Sequence, residues 1–257
     1  MSLSALPYVN WIFWGTLAGG TLLAMGLTEW RGGTTRGYRL FMAGTVLVAA
    51  IIWVLSEMGL VPVPGTDATA EIRRVLVGTF AVLALGYLVA VWRSWPRGAL
   101  AVAVAGGAVG VAAVVSLALA GETEGALFAA GLVTAAVALG SVTAGMLLGH
   151  WYLVTPKLSP DPLRRLIWVL IGSLLAQGLL VAGSVAGGGL VEQTAWLTGL
   201  RFFVGVAFPL AIAVLALKAT DATSMQSTTG LLYIGLAAVM AGTIGAASLV
   251  YLGWGSV

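Results

Sequence analysis

The chain has 257 residues, 60% of them hydrophobic and only 8% charged, with a mean hydropathy of +1.05. A soluble domain carries about 25% charged residues, so this composition excludes a soluble enzyme and a disordered chain. The pI near 9.5 rests on 12 Lys/Arg against 9 Asp/Glu scattered between apolar runs, which excludes a basic nucleic-acid-binding surface.

A helix needs about 20 apolar residues to cross a hydrocarbon layer of ~30 Å. Eight runs meet this condition: 8–28, 39–61, 75–92, 98–120, 126–154, 166–187, 195–217 and 228–254. They are continuously apolar rather than alternating, which favours an all-α integral membrane protein over a β-barrel. The first run has no positive stretch before it and no clear cleavage site, and it is too long for a signal segment, so it counts as a true first span. The first partner is therefore the lipid bilayer.

Cations set the expected threading. Arg31, Arg36 and Arg39 follow the first run, Arg93 and Arg97 the third, Lys157, Arg164 and Arg165 the fifth, and Lys218 the seventh. These alternate loops hold nine of the twelve cations, which predicts a cytoplasmic-membrane protein of a bacterial type with both termini on the outer side. The opposite loops hold Arg73 and Arg74 among Asp67 and Glu71, then Glu122 and Glu124, then Glu192.

Weak self-similarity recurs at a nearly constant offset. Gly20-Thr21-Leu22-Leu23 matches Gly145-Met146-Leu147-Leu148, Arg39-Leu40 matches Arg165-Leu166, and Arg74 through Gly78 matches Arg201 through Gly205. The spacing predicts two tandem, parallel four-helix units, 1–121 and 122–257, joined at the acidic turn Gly121-Glu122-Thr123-Glu124-Gly125.

With no Cys and a single His, the chain cannot build a disulfide, a thiolate metal site or a bis-His haem from its own residues. The 36 Gly let helix backbones approach closely, or else leave room for a flat ligand.

Polar groups inside a bilayer are costly and few here. His150 follows Gly145 and Gly149 near the basic end of the fifth run, which suits an axial ligand for haem b or a chlorophyll-type pigment, or a partner for a quinone head group. The alternative is that His150, Trp151 and Tyr152 form an interfacial belt. Arg74 and Arg201 hold matching places, where they could grip an anionic ligand, a haem propionate or a lipid phosphate, or could snorkel to the headgroups. The loop before Arg201 is apolar, so this residue calls for a carboxylate, and Glu57 is the natural partner; alternatively Glu57 is protonatable and serves a quinone or a proton path. Gln177 can hydrogen-bond across helices, Gln226 and Tyr233 can face the His150 end of the fifth run, and Pro209 should kink the seventh.

The chain has no P-loop, no HExxH and no Gly-x-Ser-x-Gly elbow, and too few mid-membrane acids for a typical ion pump. These features point to a membrane subunit of a respiratory or photosynthetic electron-transfer complex, working with other membrane or peripheral redox subunits. A small-solute permease and a non-catalytic scaffold subunit are the alternatives. Trp14-Gly15-Thr16-Leu17-Ala18-Gly19-Gly20 is loosely similar to the glycine-rich first span of the quinone-interacting NrfD-type subunits of molybdenum oxidoreductase complexes, which the two-times-four-helix plan also resembles. That resemblance covers one helix and implies quinone chemistry shared with partner subunits.

Overall fold

A computed structural model describes residues 6–60, 67–118, 125–155, 158–187 and 195–254. They form nine α-helices and no strand: α1 (Leu6–Arg31), α2 (Arg36–Met58), α3 (Asp67–Trp92), α4 (Pro96–Ala118), α5 (Gly125–Val154), α6 (Asp161–Ala186), α7 (Ala195–Phe202), α8 (Phe208–Asp221) and α9 (Met225–Trp254). A π-helical turn, Phe203–Ala207, joins α7 to α8 into one span. The described residues thus contain eight spans long and apolar enough to cross a membrane, and the protein is an all-α polytopic membrane protein.

Local chemistry explains where the helices depart from the apolar runs. α2 starts at Arg36 rather than at 39 because the Thr35 side chain caps it, accepting the Tyr38 backbone N–H at 3.2 Å. Arg36 and Arg39 consequently lie on the helix. The tight α1–α2 connection depends on Gly32 and Gly33, whose φ angles of 66° and 90° only glycine adopts without cost. α3 begins eight residues before the apolar run at 75, which places Arg73 and Arg74 on the helix instead of in a loop. In the seventh span the expected disturbance at Pro209 takes the form of the π turn. Proline supplies no N–H to the preceding turn, and the Phe208 N–H bonds back to the Phe203 carbonyl. The acidic turn expected to separate two units lies outside the described residues up to Gly125, as do Lys157 and Glu192.

Within the first half, each of α1–α4 packs on its chain neighbour and α4 closes back on α1. α5, α6, the α7–α8 span and α9 pack in the same order, and α9 closes on α5. The halves meet chiefly through α1 against α5, with α9 against α1 and α4 against α5 as flanking contacts. Arg31, Arg36 and Arg97 mark one end of the bundle, the basic end, and Glu57 marks the opposite one, the Glu57 end.

The central crossing is a backbone-to-backbone contact. A Cβ added to Gly20 would run into the Ala136 carbonyl, and one added to Gly140 would run into the Gly20 backbone. Gly19 meets Gly110 of α4 in the same way, with a Gly110 Cβ only 2.9 Å from the Gly19 Cα, and Gly205 of the π turn meets Gly242 of α9. Gly20→Leu should therefore sharply lower the thermal midpoint and monodisperse yield in detergent, because the obstacle is backbone rather than a yielding side chain. Gly44→Leu, where a Cβ meets nothing within 4 Å, should leave both close to wild type.

Candidate functional site

At the Glu57 end, the last turn of α2 and the extended first turns of α3 bring a carboxylate and a guanidinium together. Arg73 donates from Nε to Glu57 Oε2 at 3.0 Å and from Nη2 to Oε1 at 3.0 Å, a bidentate pair. The pair is buried, with side-chain exposures of 4% for Arg73 and 7% for Glu57. The exposed Arg74 side chain approaches the same carboxylate, its Nε 3.8 Å from Oε1. Glu57 is thus partnered within the α2–α3 hairpin, and the expected pairing with Arg201 is replaced by one the helical extension of α3 makes possible.

Aromatic residues wall this pair on the α1 side. The Arg73 guanidinium lies 5.6 Å from the Trp11 ring centre, a cation–π distance. Trp11 and Trp53 rings stand 5.2 Å apart, and Trp53 meets Phe80 edge-on at 5.3 Å. Asn10 donates to Ser56 Oγ at 2.9 Å and accepts from Trp14 Nε1 at 3.1 Å, which ties the start of α1 to the end of α2. The indole N–H groups of Trp11 and Trp53 are buried without an acceptor among the described residues. Against the outer side of the pair lies an open cleft of about 420 Å³, lined by Val54, Glu57, Met58, Arg74, Val77 and Gly78. One hydrogen-bond acceptor and one donor therefore face an otherwise apolar cleft at the end of the spans.

Among the described residues Arg201, in the last turn of α7, has no such partner. Its Nε is buried without an acceptor among them, Gly131 of α5 leaves room beside Nη2, and Gly245 of α9 packs under its stem. Its helix packs on α9 and α6, and neither α5, α9 nor α6 beyond Asp161 carries an acid. Arg74 and Arg201, matched by position in sequence, thus sit in unlike surroundings.

The structure also shows a buried carboxylate that the sequence reading passed over. Glu29, with 1% of its side chain exposed, accepts from Arg39 Nη1 at 2.9 Å and from the Tyr87 hydroxyl at 3.0 Å. This cluster ties α1, α2 and α3 together at the basic end. Close by, the Tyr38 hydroxyl donates to the Ala144 carbonyl of α5 at 2.8 Å, and Arg36 donates to the Trp92 carbonyl at 2.6 Å. The available signal was a single acid among the arginines flanking a Gly-Gly turn.

The residues around His150 separate onto different faces. His150 is exposed on α5 and makes no hydrogen bond among the described residues. Gly149 is buried against Thr229 of α9, and Gly145 makes ordinary contacts with Leu163, Leu166 and Leu232. Gln226 and Tyr233 are exposed on α9, whose residues facing α5 there are Thr229 and Leu232. Gln177 donates to the Thr134 carbonyl of α5 at 3.3 Å, a bond between helices. A group held by His150 would lie on the outside of the bundle, because the side chain is exposed there. Among the described residues no cluster of three or more His, Cys, Asp or Glu is placed to hold a metal ion.

Removing one member of a buried ion pair leaves an uncompensated charge, at a cost of about 3–5 kcal/mol. Glu57→Met and Arg73→Met should each lower stability by about that much in a denaturant titration in micelles. The double variant should recover most of the loss, because two well-packed apolar groups replace the pair. A scan of the chain against family models finds no match, and a search of curated proteins finds no similar one. The features established for this chain are accordingly those of a polytopic helical membrane protein with a buried ion pair beside an open cleft at one end.

Proposed function

We propose that this chain is the quinone-binding membrane subunit of an electron-transfer complex, and that the quinone head group enters the cleft at the Glu57 end. The observation that carries this reading is the placing of Glu57 and Arg74 on one apolar cleft at the end of the membrane spans. A quinol hydroxyl needs an acceptor and a quinone carbonyl needs a donor. Glu57 supplies the first and Arg74 the second, while Val54, Met58 and Val77 suit the flat ring.

Within this reading, oxidation of a quinol releases two electrons and two protons. Glu57 takes the two protons one after the other and passes each to water at the cleft mouth, and Arg73 holds the carboxylate in place. The electrons go to a redox group of a partner subunit, because this chain has no cysteine and only one histidine. Arg201 and His150 lie apart from this chemistry. The resemblance of the Trp14–Gly20 stretch to quinone-interacting subunits agrees in kind, although it covers one helix.

Gly78 offers a clean test, since it lines the cleft and a Cβ there meets nothing within 4 Å. A short-chain quinone titrated into the purified protein should quench tryptophan fluorescence saturably. Gly78→Leu should weaken binding at least about tenfold, equivalent to about 1.4 kcal/mol, with the melting temperature unchanged. Arg74→Gln should weaken it as well. Saturable binding that is equally tight in wild type, Gly78→Leu and Arg74→Gln would overturn the assignment of the site, and no binding at all would overturn the function.

A further inference from the structure

We propose that the groove between α1 and α4 at the basic end binds an anionic phospholipid. This inference is independent of the quinone reading and concerns the opposite end of the molecule.

The groove encloses about 580 Å³ and its walls are apolar, formed by Leu27 and Trp30 of α1 and by Leu100, Ala101 and Val104 of α4. It opens to the outside of the bundle, where Trp30 is 62% and Val104 49% exposed. Small residues create it. Gly26 offers no side chain, so Val104 packs close to the α1 backbone, and Ala101 and Ala105 leave the other wall shallow. The α4 residues 100–105 extend about 9 Å along the helix axis, enough for part of one acyl chain.

Helical register puts a cation on each side of its mouth. Arg31 follows Leu27 by four residues on α1, and Arg97 precedes Ala101 by four on α4, so each arginine lies on the groove's face one turn beyond the lining, toward the basic end. The Arg31 guanidinium rests 4.0 Å from the Trp30 ring centre at the rim. Neither arginine has a carboxylate partner among the described residues, and Glu29, two residues before Arg31, is already engaged by Arg39 and Tyr87. An apolar slot with a tryptophan at its rim and two uncompensated guanidiniums beyond it matches an acyl chain below a phosphodiester. A headgroup carrying its own ammonium would bring a third cation to the same mouth, so the pair selects a net-negative lipid. A quinone tail could fill the slot but would leave both cations without an anion.

Native mass spectrometry of the detergent-purified chain, incubated with phosphatidylglycerol or phosphatidylcholine of equal chain length, tests this. Wild type should retain one phosphatidylglycerol in clear preference. Arg31→Gln combined with Arg97→Gln should lower that retention about tenfold, to the phosphatidylcholine level. Ala101→Trp, at an exposed position that keeps both arginines, should fill the slot and lower retention of both lipids while leaving the melting temperature unchanged. Equal retention of the two lipids by wild type, or unchanged retention in Ala101→Trp, overturns the proposal. Displacement of the lipid by millimolar inorganic phosphate also overturns it, since the site would then be one for free anions.

Discussion

Lipid tails are as apolar as leucine, so two helices meeting in a bilayer gain little from the hydrophobic effect. What holds them is dispersion at short range, and dispersion falls away within an ångström of extra separation. This constraint explains the glycine content better than any single pocket does. Gly20 against Ala136 and Gly140 sets the α1–α5 crossing, Gly19 against Gly110 brings α4 to α1, and Gly205 against Gly242 brings the π turn to α9. With α1 and α5 locked together in the middle, the remaining spans are left to surround them, and the faces of α2, α3 and α4 follow.

Polar chemistry is unevenly divided over that scaffold. The first half holds the buried Glu57–Arg73 pair, the Glu29–Arg39–Tyr87 cluster and the fully buried side chains of Trp11, Trp53, Tyr38, Tyr87 and Phe80. The second half packs mostly Leu, Ala and Gly around α5, and its Arg201, with a buried Nε, meets no acid among the described residues. Two halves whose helices pack in the same order thus differ in what they can do. The first carries the buried charged pairs and the cleft beside Glu57, and under the proposed function it is the half that binds the ring.

The eight spans were legible because long apolar runs with arginines at alternate ends leave few other threadings. The buried charges were not, for a reason visible at Arg73 and Glu29. Reading a charged residue as the end of a span places both in loops, whereas the helices continue through them and fold the side chains back inward. The partner of Glu57 was misjudged for the same cause, since Arg73 becomes available only once α3 is seen to start at Asp67. The setting of His150 was hidden differently. α5 is apolar all round, so its sequence has no periodicity to tell the face toward α9 from the face left open, and only packing shows that Gly149 is covered and His150 is not.

The two buried carboxylates also bear on how the chain enters the membrane. Glu29 meets Arg39 ten residues later, across the α1–α2 connection, and Glu57 meets Arg73 sixteen residues later, in the α2–α3 hairpin. A buried charge on an inserting helix is costly, and each of these carboxylates finds its counter-charge on the next segment of the chain. The first three spans can therefore settle as successive hairpins with both buried carboxylates already paired, with no need to wait for the rest of the protein. Arg201 meets no carboxylate among the described residues, so nothing described on its neighbouring spans cancels its charge in the same way.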